Sequence, residues 1–172
     1  SFAGPLASKE ARWAVSYAMD RASIAQVMYN GLSTVPSYPA SEHAIDFEER
    51  FSNMHDTYET GYNVDKAKEY ADASGLTGKT LKIITNGAED FNNAAAILQE
   101  NLKAIGVEAT ITPLDNATYF SVLADETNFD IALFYYSSPS TYAADILANY
   151  VDFVPQGWTG AERDEYGTIS KE

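Results

Sequence analysis

Along residues 62 to 136 the apolar positions switch repeatedly between two periods. YNVDKAKEYADASG and FNNAAAILQENLKAIG repeat at helical spacing, whereas TLKIIT, VEATITPL and NFDIALFYY read as strands. The predicted order is helix, strand, helix, strand, helix, strand. Strands separated by helices run parallel and need helical crossovers. The expected fold class is therefore α/β, an open, largely parallel sheet flanked by helices.

The junctions carry their own signals. Asn63 caps a helix over 64–74, Gly75 ends it, and Ala67, Tyr70 and Ala71 form its inner face. Leu81, Ile83 and Thr85 alternate with Lys82 and Ile84 in the first strand. Asp90 or Asn92 starts the next helix, whose apolar stripe is Ala94, Ile97, Leu98, Leu102 and Ile105. Gly106 closes it into a strand over 107–112. Asp115 caps a helix with Tyr119, Phe120 and Leu123, and Asp130 opens a last strand over 131–136. Ahead of this series, Trp13, Ala14, Tyr17 and Ala18 predict a helix over 8–20. Asp20 interrupts it and caps a shorter helix over 21–30, with Ile24, Val27 and Met28 on one side and Gly31 at a left-handed end.

Between Leu32 and Gly61 the periodicity dissolves around Pro36 and Pro39. A connection this long is uncommon in a compact domain and is often functional. The plainer expectation is that it wraps the sheet edge and buries Phe47, Phe51 and Tyr58. Past Tyr150 the signals weaken again. We expect an α/β lobe over 1–150 and an irregular or partly disordered tail over 151–172, with at most a short strand at 151–154.

Composition narrows the function. Formal net charge is −14, from 25 acidic and 11 basic residues, so nucleic acid is not an expected partner and anionic lipid is disfavoured. Without cysteine there are no disulfides, thiolate nucleophiles or cysteine-held zinc. No run is long and apolar enough for a bilayer. The chain begins at Ser1 with no signal-like segment, as a processed chain or an excised piece would.

Several motifs do not survive inspection. GKT at 78–80 precedes a strand and has Ala73 where a phosphate loop needs its first glycine, so it reads as a turn. His43 and His55 lie near Glu42, Glu48, Glu49 and Asp56, but their spacing fits no helical ligand pair, and solvated loop histidines explain them. Asp125 and Glu126 suit an exposed helix end, with no base or nucleophile placed beside them. The sequon NAT at 116–118 reads more economically as a helix start. No catalytic residue, metal or cofactor is expected.

Sheets of this kind bind ligands at the carboxyl ends of their strands. The last strand ends in Tyr135, Tyr136, Ser137 and Ser138, with Tyr142 close behind. Aromatic faces and hydroxyls of this kind suit a neutral polar ligand. Alternation sends one of Tyr135 and Tyr136 to the cleft and the other to the core. Asn86 and Gly87 end the first strand at the same edge, where a simple turn also explains them.

ARWAVSYAMDRASIAQVMYNG resembles the opening of the third domain of bacterial extracellular solute-binding proteins, family 5, the oligopeptide and dipeptide class. Arg12, Ala14, Tyr17, Ala18, Asp20, Arg21, Ile24 and Gly31 carry the likeness. YNVDKAKEYADASG, then Leu98, Leu102, Lys103, Ile105, Gly106 and Val107, then Phe129 and Asp130 continue it in order, over about residues 8 to 150.

The resemblance implies one lobe of a periplasmic-binding-protein type II-like fold, outside the cytoplasmic membrane in a lipoprotein-anchored parent. Such a lobe captures a peptide or other small polar solute against a second lobe of the same parent and delivers it to the membrane permease of an ABC importer. It is not an enzyme. The second lobe, the crossover strands and the final helix are expected outside this chain. The resemblance puts Tyr136 towards the cleft.

This sequence departs from the family where specificity is set. Peptide-binding members carry Trp, two small residues and an Asp that pairs with the peptide amine. Here those positions are Tyr136, Ser137, Ser138 and Pro139, and Ala117 stands where many members have Trp. Pro139 offers no acceptor for an ammonium. Ligand-binding candidates are Tyr136, Ser137, Ser138, Tyr135, Tyr142 and Asn86. The alternatives are a small α/β enzyme using the same strand edge, or a protein-interaction domain presenting the acidic segment Glu42 to Glu59.

Overall fold

The computed structural model describes residues 4–33, 35, 43–46, 61–133 and 135. The chain divides into two compact units, one of Ser1–Val35 and Thr60–Tyr135, the other of Pro36–Glu59 and Tyr136–Glu172. In the second unit the description is limited to residues 43–46, a turn. The expected packing of Phe47, Phe51 and Tyr58, the boundary at 150 and the tail lie outside the described residues.

The first unit contains α1 (Lys9–Ala18), α2 (Arg21–Tyr29), α3 (Val64–Ser74), β1 (Thr80–Thr85), α4 (Glu89–Lys103), β2 (Glu108–Pro113), α5 (Asn116–Leu123), a 3-10 turn (Glu126–Asn128) and β3 (Ile131–Leu133). The sheet order is β2-β1-β3, and both pairings are parallel. Ile83 lies opposite Ile111 on one side and Ile131 on the other. The chain steps from β1 to β2, then passes back over β1 to β3. Right-handed connections therefore put α4 and α5 on opposite faces. This is the expected α/β sheet flanked by helices.

Capping residues set most boundaries. Ser8 accepts from the Ala11 N–H, Asp20 from the Ser23 N–H, Asn63 from the Lys66 N–H, and Asp115 from the N–H groups of Ala117 and Thr118. These bonds satisfy donors that a helix start leaves unpaired. Gly75 ends α3 in the left-handed region at φ 69°, and Asn30 ends α2 at φ 51°. GKT lies in a turn, with Gly78 at φ 77° just before β1.

The core lies on the α4 side of the sheet. Leu81 and Ile83 of β1 and Ala109 of β2 join Leu98 and Leu102 of α4, Ala14, Val15 and Ala18 of α1, and Ala67 and Ala71 of α3. Small residues let α1 and α3 approach closely. Their seam continues outward as a stack of Trp13, Tyr17 and Tyr70, with ring centroids 5.4 and 5.7 Å apart.

Three of the charged residues behind the family resemblance hold the scaffold together. Arg12 donates to the carbonyls of Leu6 and Ala7, ahead of α1. Arg21 donates to the Ser16 carbonyl and hydroxyl, at the end of α1. Asp130 ties β3 to β1 through the Lys82 backbone.

Four expectations need correction. Neither Asp90 nor Asn92 starts α4: its cap is Ala88, with no side-chain hydrogen bond. Asp90 and Asn92 lie inside the first turns, where their side chains reach other partners. Ile84 does not alternate to solvent, because a central strand is covered on both faces and Ile84 is buried like Ile83. β2 begins at Glu108 rather than Val107, since Val107 instead donates back to the Leu102 carbonyl. On α2, Val27 is exposed while Ile24 and Met28 are half-buried, so no complete apolar face is covered.

Candidate functional site

The three strand exits meet at the carboxyl edge of the sheet. The order β2-β1-β3 makes β1/β3 the place where successive connections leave in opposite directions. Such a switch point opens a crevice beyond the strand ends, and ligands bind there.

The β1 exit is held by a closed set of hydrogen bonds. Thr85 is fully buried, and its hydroxyl donates to Asn92 Oδ1 at 2.6 Å. Asn92 Nδ2 donates to the Gly87 carbonyl at 3.1 Å, and the Gly87 N–H donates to Thr85 Oγ1 at 3.3 Å. Asn86 forms a local turn by accepting the Ala88 N–H at 3.2 Å, leaving its amide nitrogen unbonded among the described residues.

The β2 exit presses against this loop. The Leu114 N–H donates to the Thr85 carbonyl, and a Cβ on Gly87 would lie 2.8 Å from the Leu114 carbonyl oxygen. Gly87 also has φ 79°, so glycine is required twice over.

At the β3 exit, Tyr135 reaches across the switch point. Its hydroxyl donates to Asp90 Oδ2 at 2.7 Å, and its ring meets Phe91 edge-on at a centroid distance of 4.7 Å. Asp90 Oδ1 accepts the Phe91 N–H at 2.9 Å. The Asp90 hydrogen bond foremost, then burial, the Asp90 charge and Tyr29 push the Tyr135 hydroxyl up to about 12. Tyr135 thus stays neutral and remains a donor to Asp90 at ordinary pH. Tyr29 comes from the end of α2, which packs on α4. Beneath the edge, the Tyr119 hydroxyl of α5 donates to the Leu133 carbonyl at 2.9 Å, and burial raises Tyr119 to about 12.

Of the sequence candidates, Tyr135 and Asn86 both stand at this edge. Tyr135 is 61% exposed and does not enter the core. Tyr136, Ser137, Ser138 and Tyr142 lie outside the described residues. Sequence reasoning did not place Asp90 at this edge, where the structure bonds it to Tyr135. Asp90 lies in the first turn of the helix that follows the β1 exit, which is a usable signal. Among the described residues no group of histidine and carboxylates is arranged to hold a metal ion.

Residues 3–158 match the family described as bacterial extracellular solute-binding proteins, family 5 Middle. No curated protein sequence matches the chain. Solved structures do match. The ABC transporter substrate binding protein CtaP from Listeria monocytogenes is 25% identical, with TM-score 0.64 over 96% of this chain and 38% of that one. AgaA from A. tumefaciens R10, in complex with agropinic acid, is 21% identical, with TM-score 0.68 over 97% of this chain and 38% of that one. DppA from Helicobacter pylori, in complex with the peptide STSA, is 16% identical, with TM-score 0.71 over 98% of this chain and 34% of that one. The chain spans less than two fifths of the length of each.

Proposed function

Because the chain belongs to the bacterial extracellular solute-binding proteins, family 5, we propose that it forms most of one ligand-binding lobe of an ABC importer's solute-binding protein. The observation that carries this reading is the β1/β3 switch point, where Asn86, Asp90 and Tyr135 line a strand edge. The solute is a peptide or another small polar molecule. Relatives solved with agropinic acid and with a peptide span that range of ligands. The partners are a second lobe of the same parent and a membrane permease, on the outer side of the cytoplasmic membrane. The relatives are binding proteins, which does not favour the enzyme or interaction-domain alternatives.

Mechanistically, the edge acts as half of a clamp. The Thr85–Asn92–Gly87 ring fixes the β1 exit, so Asn86 and Asp90 are presented with little freedom left to lose on binding. Solute bound here is then enclosed by a second lobe through hinge closure. Contacts made only in the closed state supply the free energy of closure. Tyr136, Ser137, Ser138 and Tyr142, which lie outside the described residues, are assigned to solute binding in this reading from the sequence alone.

A thermal-shift screen of the two-lobed parent against short peptides, oligosaccharides and metal chelates tests this. A ligand that binds only the folded state raises the melting temperature by mass action. We expect a rise with one of these classes. No rise with any of them contradicts the reading.

A further inference from the structure

We propose that Asp90, bonded to Tyr135 at the β1/β3 switch point, recognises a cationic ammonium group of the solute. This rests on the solute-binding reading and adds the chemical class of the ligand. Among the described residues the Asp90 carboxylate accepts two neutral donors, the Phe91 N–H and the Tyr135 hydroxyl, one on each oxygen. It has no cationic partner among the described residues. Each carboxylate oxygen therefore keeps acceptor capacity, and the Tyr135 oxygen can accept as well.

The surroundings favour a cation in three further ways. The β1 exit, NGAEDFN, and the β2 exit, PLDN, contain neither lysine nor arginine. The exposed ring of Tyr135 offers a π face beside a carboxylate. Aromatic faces next to an acidic group attract ammonium ions, quaternary ones included. The chain's net charge of −14 also draws cations and repels anions. Phe91, buried against the Tyr135 ring, holds that ring in place.

The test is isothermal titration of the two-lobed parent with choline, trialanine, N-acetyltrialanine and maltotriose. We expect binding of choline or trialanine in preference to the two probes without an ammonium. Asp90→Asn should weaken that binding about tenfold to hundredfold, the range for a charge-assisted contact. Tyr135→Phe, which keeps the ring, should lose less. Glu89→Gln removes the same charge one residue away and should bind as the parent does. Circular dichroism melts establish that each variant is folded. If Asp90→Asn binds as the parent does, or maltotriose or N-acetyltrialanine binds as tightly as the cationic probes, the inference is wrong while solute binding stands. No binding of any of the four overturns the inference, and the wider thermal-shift screen then decides the solute-binding reading.

Discussion

The Asp130 carboxylate accepts the Lys82 backbone N–H at 2.7 Å, while the Asp130 N–H donates to the Lys82 carbonyl at 2.9 Å. This reciprocal pair fixes β3 beside β1 and so sets where Tyr135 emerges. Asp130 is buried, so its removal leaves a donor without its acceptor. Asp130→Ala should destabilise the fold by about 1–3 kcal/mol, and Asp130→Asn by less because it keeps an acceptor oxygen. Urea unfolding followed by circular dichroism measures both. Equal stability of Asp130→Ala and the parent would remove this pair from the account.

The glycines at 75 and 87 share a backbone conformation and differ in surroundings. A Cβ at Gly75 meets nothing within 4 Å, whereas one at Gly87 lies 2.8 Å from the Leu114 carbonyl oxygen. Gly75→Ala should cost only the left-handed penalty, about 1 kcal/mol. Gly87→Ala adds a clash between backbones and should cost at least about 1 kcal/mol more, through strain in the β1 exit. It should also weaken solute binding by the parent, because that loop carries Asn86. Paired thermal melts decide the order; Gly75→Ala as the worse variant contradicts it.

Stability should decline at both ends of the pH scale. The Tyr119 hydroxyl rises to about 12 in the fold because it is buried, against about 10 for an unfolded tyrosine. Above pH 10 the unfolded chain therefore holds fewer protons, and the stability from neutral Tyr119 is lost as pH rises towards 12. Hydrogen bonds from the Ser23 side chain and backbone lower the Asp20 carboxyl, so its contribution is present above its ordinary value and lost as pH falls below it. Tyr119→Phe should flatten the alkaline limb, and Asp20→Ala the acid limb at a cost of about 1 kcal/mol for the lost cap. Melting temperature against pH tests each; unchanged limbs would contradict these causes.

What was legible in the sequence was local. Asn63 with Gly75, Asp20 and Asp115 announce helix ends because the cap bonds lie within three residues. Parallel pairing followed from strands separated by helices. The start of α4 was illegible for the same reason: Asn92 bonds back to Thr85 and Gly87, and Ala88 caps with no side chain. Burial of Ile84 depends on what covers the second face of a central strand. At the strand edge, strand-end reasoning anticipated where Tyr135 and Asn86 stand, and their part in solute binding is a proposal. It could not find the Tyr135–Asp90 bond, which spans 45 residues and exists only once β3 lies beside β1.

The central claim, that this lobe supplies half of a solute clamp, is tested most directly by comparing two proteins in one titration. The two-lobed parent and the 172-residue chain alone are titrated with the solute found by the thermal-shift screen. The account predicts micromolar or tighter binding by the parent and at least about hundredfold weaker binding by the chain, because closed-state contacts need both lobes. Equal affinity for the two proteins would contradict it, since the chain would then hold a complete site by itself.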